Sequence, residues 1–339
     1  MKKIISAITL AALLMITVLT GCAAKGETNA PRTNTQVQAP SETSNEKIKI
    51  GIIQPVEHPS LNQIRESIIL GLEEHGLKDK VEITYKDAQG DPSNINTIIS
   101  QFVGEKMDVI VPIATSTAQS AAAATSDIPI VFAAVSYPVE AGLVKDLSKP
   151  EGNITGVSDA IDVKQIFDLA FELTPEIKTF GFIYNSGEVN SAAAIEQAKS
   201  YLEEKGIEYV EATITNSSEL QQAAQSLAGK ADAIFTPTDN TVASAMPVLS
   251  AEAINAGIPV YTGADSMVAD GGFATVGVDY TVLGKQVADI VKRIIDGQEI
   301  SEIPVETLKE YKKIMNTTTA KSLGAEITDK MLENFETVE

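Results

Sequence analysis

The side chains of this 339-residue chain that could make or break covalent bonds are few. It has one cysteine, Cys22, two histidines, His58 and His75, and no tryptophan, which excludes disulfide frameworks and His/Cys metal clusters by count. It contains no Gly-x-Ser-x-Gly elbow, no phosphate loop, and no Gly-x-Gly-x-x-Gly after a strand. Gly156-Val157-Ser158-Asp159 comes nearest to the first and lacks its second glycine. The expectation is a binding protein, not an enzyme, with no cofactor and no metal. What remains is polar residues suited to holding a charged small molecule. Thr115-Ser116-Thr117 precedes an alanine-rich helix, and a helix start offers free backbone N–H groups and the positive end of the dipole to an anion. The same hydroxyls serve equally as helix caps, and both roles stay open. Asp159, Asp239, Asp265 and Glu188 stand at loop positions where each could accept from a cation, with turn or capping roles competing. Arginine is too scarce to be the anion clamp: Arg32, Arg65 and Arg293 fall in a polar leader or within helices.

Short β-rich runs alternate with helix-period segments from residue 47 onward. Strands are expected at 47–53, 81–85, 109–113 and 128–133. Between them, Leu61, Ile64, Ile68 and Leu72 fall on one helical face with Ser60 as cap. Asp91-Pro92 caps a second helix to about Gly104, and 117–125 forms a third. Such alternation means a parallel sheet wrapped by helices. The pattern then recurs. Gly51-Ile52-Ile53 matches Gly181-Phe182-Ile183, Asp108 and Thr117 match Asp232 and Thr241, and Ile128-Pro129 matches Ile258-Pro259. The fold class expected is α/β, with two similar doubly wound parallel-sheet lobes joined by hinge strands. A strand at 273–278, a helix at 281–295 and a strand at 308–315 follow the second repeat. Hinges are expected at 152–157, near Asp279 and at 300–305. The lobes are then 47–155 plus 280–300, and 156–279 plus 301–339.

Ligands of open parallel sheets sit outside the carboxyl ends of the strands. That rule selects Gln54, His58, Thr115, Ser116, Thr117, Ser136 and Pro138 on the first lobe. On the second it selects Tyr184, Asn185, Glu188, Asp239, Asn240 and Asp265. Asp239-Asn240 is favoured among these, because it occupies the place that Thr115-Ser116 holds in the first repeat. Tyr137, Tyr184, Tyr280 and Pro138 could wall an apolar group.

The N-terminus has a different character. Lys2 and Lys3 precede an apolar run at 4–19, and Leu19-Thr20-Gly21-Cys22 follows, which resembles a bacterial lipobox. The expectation is a signal peptide at 1–21 and a diacylglycerol on Cys22. Residues 23–46 carry almost no large apolar side chain and read, with the lipidated Cys22, as a disordered tether. A formal charge of −20 makes nucleic acid a poor partner. The chain is expected to be an extracytoplasmic monomer anchored to the bacterial cell membrane.

Gly51-Ile52-Ile53-Gln54 with His58-Pro59-Ser60-Leu61, the run 129–135, Gly152-Asn153-Ile154-Thr155-Gly156-Val157 and Gly277-Val278-Asp279-Tyr280 closely resemble the tryptophan/tyrosine-type family of ABC transporter substrate-binding proteins. The resemblance spans 47 to about 335. It implies a type I periplasmic-binding-protein fold, closure around one ligand, and delivery to an ABC permease driven by its ATPase. An amino acid is the ligand it implies, with aromatic ones leading. A sugar or nucleoside receptor of the same fold, or a ligand-sensing domain, are the alternatives. Scarce arginine and 5% aromatic content count against a sugar site.

Overall fold

The computed structural model describes residues 46–339; the expected signal peptide, the lipidation cysteine and nearly all of the tether lie outside the described residues. The chain begins β1 (Ile48–Gln54), α1 (Pro59–Glu74), β2 (Val81–Asp87), α2 (Pro92–Gly104), β3 (Val109–Pro112), α3 (Thr115–Ala124), β4 (Ile130–Ala133) and β5 (Ile154–Ser158). Asp91 caps α2 through its side chain with proline in the first turn, as its sequence requires. The cap of α1 differs from expectation. His58 holds the N-cap position without a side-chain bond, and Ser60 lies inside the first turn because Pro59 already fits a helical φ.

The second half runs α4 (Val163–Leu173), β6 (Thr179–Asn185), α5 (Val189–Lys205), β7 (Glu208–Ile214), α6 (Leu220–Leu227) and β8 (Ala233–Thr236). It continues through α7 (Asn240–Ala243), α8 (Met246–Ala256), β9 (Val260–Thr262), α9 (Asp265–Ala269) and β10 (Ala274–Gly277). After α10 (Tyr280–Ile295) come β11 (Glu306–Thr307), β12 (Lys312–Asn316), α11 (Thr317–Ser322), α12 (Asp329–Asn334) and β13 (Glu336–Val338).

These strands form two sheets. The first has the order β11-β5-β4-β3-β1-β2 with parallel pairing throughout. The second has the order β13-β12-β10-β9-β8-β6-β7 and is parallel except where β12 runs against β10. The expected strand at 308–315 therefore begins later, at Lys312, and turns an otherwise parallel sheet into a mixed one. Helices cover the sheets in a two-lobed α/β architecture. The first lobe buries aliphatic residues such as Ile50, Ile52, Ile64 and Ile68. The second packs rings: Phe167 meets Phe180 edge-on at 4.8 Å and Phe235 at 4.9 Å.

The chain passes between the sheets at 159–162, 278–279 and 308–311. Between the second and third passages, α10 lies against α1 and over β4 and β5. Gly284 permits that approach, since a Cβ there would stand 2.5 Å from Ser67 Cβ and 2.7 Å from Ile64 O. The third passage lies beyond the expected 300–305 because Glu306 and Thr307 still pair with Val157 and Ser158 in the first sheet. Residues 306–307 thus sit with the first sheet, although 301–339 was expected in the second lobe. Likewise β5 extends to Ser158, past the expected boundary at 155. Tyr311 Oη donates to Ala160 O at 3.4 Å, tying the third passage to the first.

Candidate functional site

A cavity lies where the strand ends of the two sheets face each other across these passages. It holds about 380 Å³ of space between atoms, part of it continuous with solvent. The first lobe lines it with His58, Ser60, Leu61, Ala114, Thr115, Ala134 and Ser136. The sheet order places Asp159, Ser136, Thr115 and His58 after neighbouring strands β5, β4, β3 and β1 in that sequence. At about 4.8 Å per strand, the row extends roughly 14 Å.

Asp159 occupies the hinge end of the row. It is 4% exposed, accepts from Ser136 Oγ at 2.8 Å, and lies 3.4 Å from Tyr280 Oη. Burial raises its carboxyl above the usual range, and the Ser136 bond only partly offsets this. No cation is paired with it among the described residues. A buried carboxylate held by neutral donors is suited to receive an ammonium group.

Helices α1 and α3, which reach the cavity from the first lobe, start without a side-chain cap. Neither the side chain of His58 before α1 nor that of Ala114 before α3 accepts from the first turn, and Thr117 Oγ1 turns back to donate to Ile113 O and Ala114 O. Free N–H donors and two dipole ends thus converge on one wall. Ala114 adopts φ 76° and ψ 163°, and Ala134 adopts φ 53°, conformations that cost a non-glycine residue about 1–3 kcal/mol. The positive φ at Ala114 lets α3 begin only two residues beyond β3.

The second-lobe wall comprises Asn190, Thr238, Asp239, Asn240, Ala243, Ala264 and Met267, with Tyr280 from the start of α10. Its carboxylates are engaged within the protein. Asp239 accepts from Val242 N at 2.8 Å, Asn185 N at 2.7 Å and Ser191 Oγ at 2.7 Å. Burial and the nearby Glu188 raise its carboxyl against the pull of these donors. Glu188 accepts from Asn240 N and Nδ2 and from Thr241 N and Oγ1, at 2.7 to 3.0 Å. The two acids together fill the start of α7. Gly263 lets the loops after β8 and β9 close up, since a Cβ there would fall 2.3 Å from Thr238 N.

The other residues expected at the site lie around this cavity. Ser116, Asn185 and Glu188 line an outer opening between the lobes, together with Pro55, Val56 and Thr241. Gln54 is fully buried, donates to Val56 O and Asn62 Oδ1, and leaves its Oε1 without a partner among the described residues. Thr117 is spent on the backbone. Pro138 O accepts from Leu143 N, within a turn. Tyr184 Oη donates to Glu211 Oε2 at 2.8 Å, outside the cavity lining. Asp265 accepts from Ser266 N and burial pushes it up to about 6; it adjoins the lining residue Ala264 without lining the cavity. Asn190, whose Nδ2 donates to Thr238 O at 2.8 Å, and Met267 are wall residues that sequence reasoning did not single out. Asn190 does stand in the first turn of α5, next to the β6–α5 loop that the strand-end rule marks.

The lobes touch directly across the cavity. His58 Nε2 lies 3.3 Å from Asn240 Oδ1, Ser60 Oγ lies 2.5 Å from Ser266 Oγ, and Ser136 Oγ lies 3.3 Å from Thr238 Oγ1. The arrangement is a closed one.

Comparison with known proteins agrees with this geometry. The family model for ABC transporter substrate binding proteins matches residues 49–338. A tyrosine-binding protein of Clostridioides difficile is 40% identical over 324 residues, covering 95% of this chain and 92% of that one. The structure of an ABC domain in complex with L-Trp from Streptococcus pneumoniae is similar at a TM-score of 0.83 and 37% identity, covering 87% of this chain and all of the other. The ligand-free, open structure of a substrate binding protein with adhesive properties from Clostridium difficile is 40% identical, covers 86% of this chain and 99% of that one, and superposes at 0.66. Equal kinship with a lower score against an open form is what a closed arrangement of this chain produces. These relatives are binding proteins, not enzymes.

Proposed function

The chain belongs to the family of ABC transporter substrate-binding proteins, and from that premise we propose that it binds an amino acid, aromatic ones foremost, between its lobes. The single observation that carries this reading is Asp159. A buried carboxylate without a cationic partner among the described residues stands two strands from the uncapped start of α3, in one cavity. An ammonium group at Asp159 and a carboxylate at the N–H groups of 115–117 satisfy both ends of a zwitterion without any arginine. Leu61, Ala243, Ala264, Met267 and Tyr280 then supply apolar surface for a side chain. The L-Trp and tyrosine relatives support an aromatic one.

Binding works by closure. Contacts from both walls exist together only when the lobes meet, so a ligand held by both shifts the population toward the closed form. The passages at 159–162, 278–279 and 308–311 serve as the hinge, and Asp159 and Tyr280 stand on or beside two of them. Closure is read by an ABC permease whose ATPase drives import. The protein is held outside the cytoplasm by lipid on Cys22; among the described residues no helix is long and apolar enough to cross a membrane. Titration calorimetry with the twenty amino acids, paired with small-angle scattering, tests the binding role. The expectation is heat from tyrosine or tryptophan with a smaller radius of gyration on binding, and no heat from any amino acid refutes it. Substituting Cys22→Ser and finding the protein still membrane-bound refutes the lipid anchor.

A further inference from the structure

One ring nitrogen of a cavity-wall residue finds no hydrogen-bond partner among the described residues. His58 is 7% exposed, its side chain caps no backbone N–H of α1, and its Nδ1 has no hydrogen-bond partner among the described residues. Its other ring nitrogen, Nε2, faces Asn240 Oδ1 across the lobes at 3.3 Å. The direction of that bond is decided from the far side. Asn240 Nδ2 lies 2.7 Å from Glu188 Oε2, and a carboxylate can only accept, so the amide nitrogen belongs toward Glu188 and the amide oxygen toward His58. Glu188 is itself pinned by Asn240 N, Thr241 N and Thr241 Oγ1. An amide oxygen donates nothing, so Nε2 carries the proton. Burial pushes the His58 imidazolium down to about 4, which keeps the ring neutral near neutral pH. A neutral ring protonated on Nε2 presents a bare lone pair at Nδ1.

We propose that His58 Nδ1 accepts a hydrogen bond from the side chain of the ligand, so that aromatic amino acids bearing a ring O–H or N–H are preferred to those without one. The proposal rests on the amino-acid reading of the same cavity and adds what distinguishes among amino acids. Position along the row supports it. With the head groups taken near Asp159 and α3, His58 stands at the remaining end, after β1. The energetics support it as well. Closure buries the Nδ1 lone pair whatever the ligand is, and a ligand that leaves it unpaired bears the desolvation penalty. Asn240 arrives from the second lobe, so the acceptor form of His58 is imposed only on closure. Recognition of the ring donor and shutting of the cleft are therefore one event.

The test is calorimetric titration of the purified protein with L-tyrosine, L-tryptophan, L-phenylalanine and 4-fluoro-L-phenylalanine, repeated on His58→Phe. The natural protein should bind tyrosine or tryptophan about tenfold or more tightly than the two donor-free rings. His58→Phe should erase that gap by weakening the donor-bearing ligands. Equal affinity for tyrosine and both phenylalanines overturns the role of His58 and leaves the amino-acid reading standing; no binding of any of the four overturns both. If His58→Phe does not fold, the ligand series on the natural protein decides alone. Nitrogen-15 NMR of the imidazole gives a second readout. A neutral ring protonated on Nε2, whose Nδ1 resonance moves with tyrosine and not with phenylalanine, is expected. A proton on Nδ1 in the closed form rules the proposal out.

Discussion

Thr115 opens α3 and Asn240 opens α7 at corresponding places in the two lobes, each just beyond the strand that follows a matched aspartate, Asp108 or Asp232. The two helix starts nonetheless face the cavity in opposite states. At α7, Asp239 and Glu188 satisfy the first-turn donors from within the lobe. At α3, no side chain does so, and the residue before the helix is a strained alanine. One duplicated design is thus closed off in the second lobe and left open in the first. The lesson is that an acid beside a cavity is not by itself a ligand contact; what counts is whether its oxygens still have lone pairs to offer.

The contrast can be broken in four ways. Asp239→Ala has the largest expected effect, because it strands two buried N–H groups and the Ser191 hydroxyl. Unfolding in denaturant should show a loss of about 3 kcal/mol, while affinity per folded molecule changes less than about threefold. A large affinity loss with stability intact would make Asp239 a ligand contact instead.

The second is the response to acid. Asp159 has a raised carboxyl in the ligand-free folded state, so the folded free protein takes up its proton before the unfolded chain does. Protonation therefore favours the free closed protein and removes the acceptor for an ammonium group. Affinity should fall on acidification by up to about tenfold per pH unit, beginning above the ordinary carboxylate range, and should be flat in Asp159→Asn. Calorimetry across pH checks both curves.

Thr115→Val, third, removes a cavity-facing hydroxyl at the open helix start and should weaken binding about five- to tenfold with little change in melting temperature. A threonine change at α7, Thr241→Val, removes a donor to Glu188 and should lower stability more than affinity. The smallest effect is expected from Ala114→Gly. It relieves the positive φ and should stabilise the protein by about 1 kcal/mol in denaturant unfolding, with affinity nearly unchanged.

Much of the architecture could be read from residues alone. Alternation of strand and helix periods, the Asp91-Pro92 start and the matched segments of the two halves all express local chemistry, which sequence displays directly. The passages at 159–162 and 308–311 were displaced from expectation because strand ends are decided by partners far away: Ser158 and Thr307 pair with each other across 149 residues. The site was less legible for the same reason. Asp239 and Asp159 look alike in sequence. Only the fold brings Asn185 N, Val242 N and Ser191 Oγ to the first and leaves the second with Ser136 Oγ and a longer bond from Tyr280 Oη. Ala114 and Ala134 carried no signal, since alanine does not announce a left-handed backbone as glycine or asparagine does. His58 and Asn240 were both recognisable as strand-end residues. Their bond to each other, and the orphaned Nδ1 it defines, required the closed pair of lobes.

The account turns on Asp159 meeting the amino group of the ligand, and a double-mutant cycle measures that contact directly. Calorimetry would compare L-tyrosine with its deaminated analogue, 3-(4-hydroxyphenyl)propionate, on the natural protein and on Asp159→Asn. The expected result is a loss of about 100-fold from either change alone, and little further loss when both are made, since a charged hydrogen-bonded pair contributes roughly 1.5–3 kcal/mol. Additive losses, or undiminished binding of the deaminated analogue to the natural protein, would contradict it.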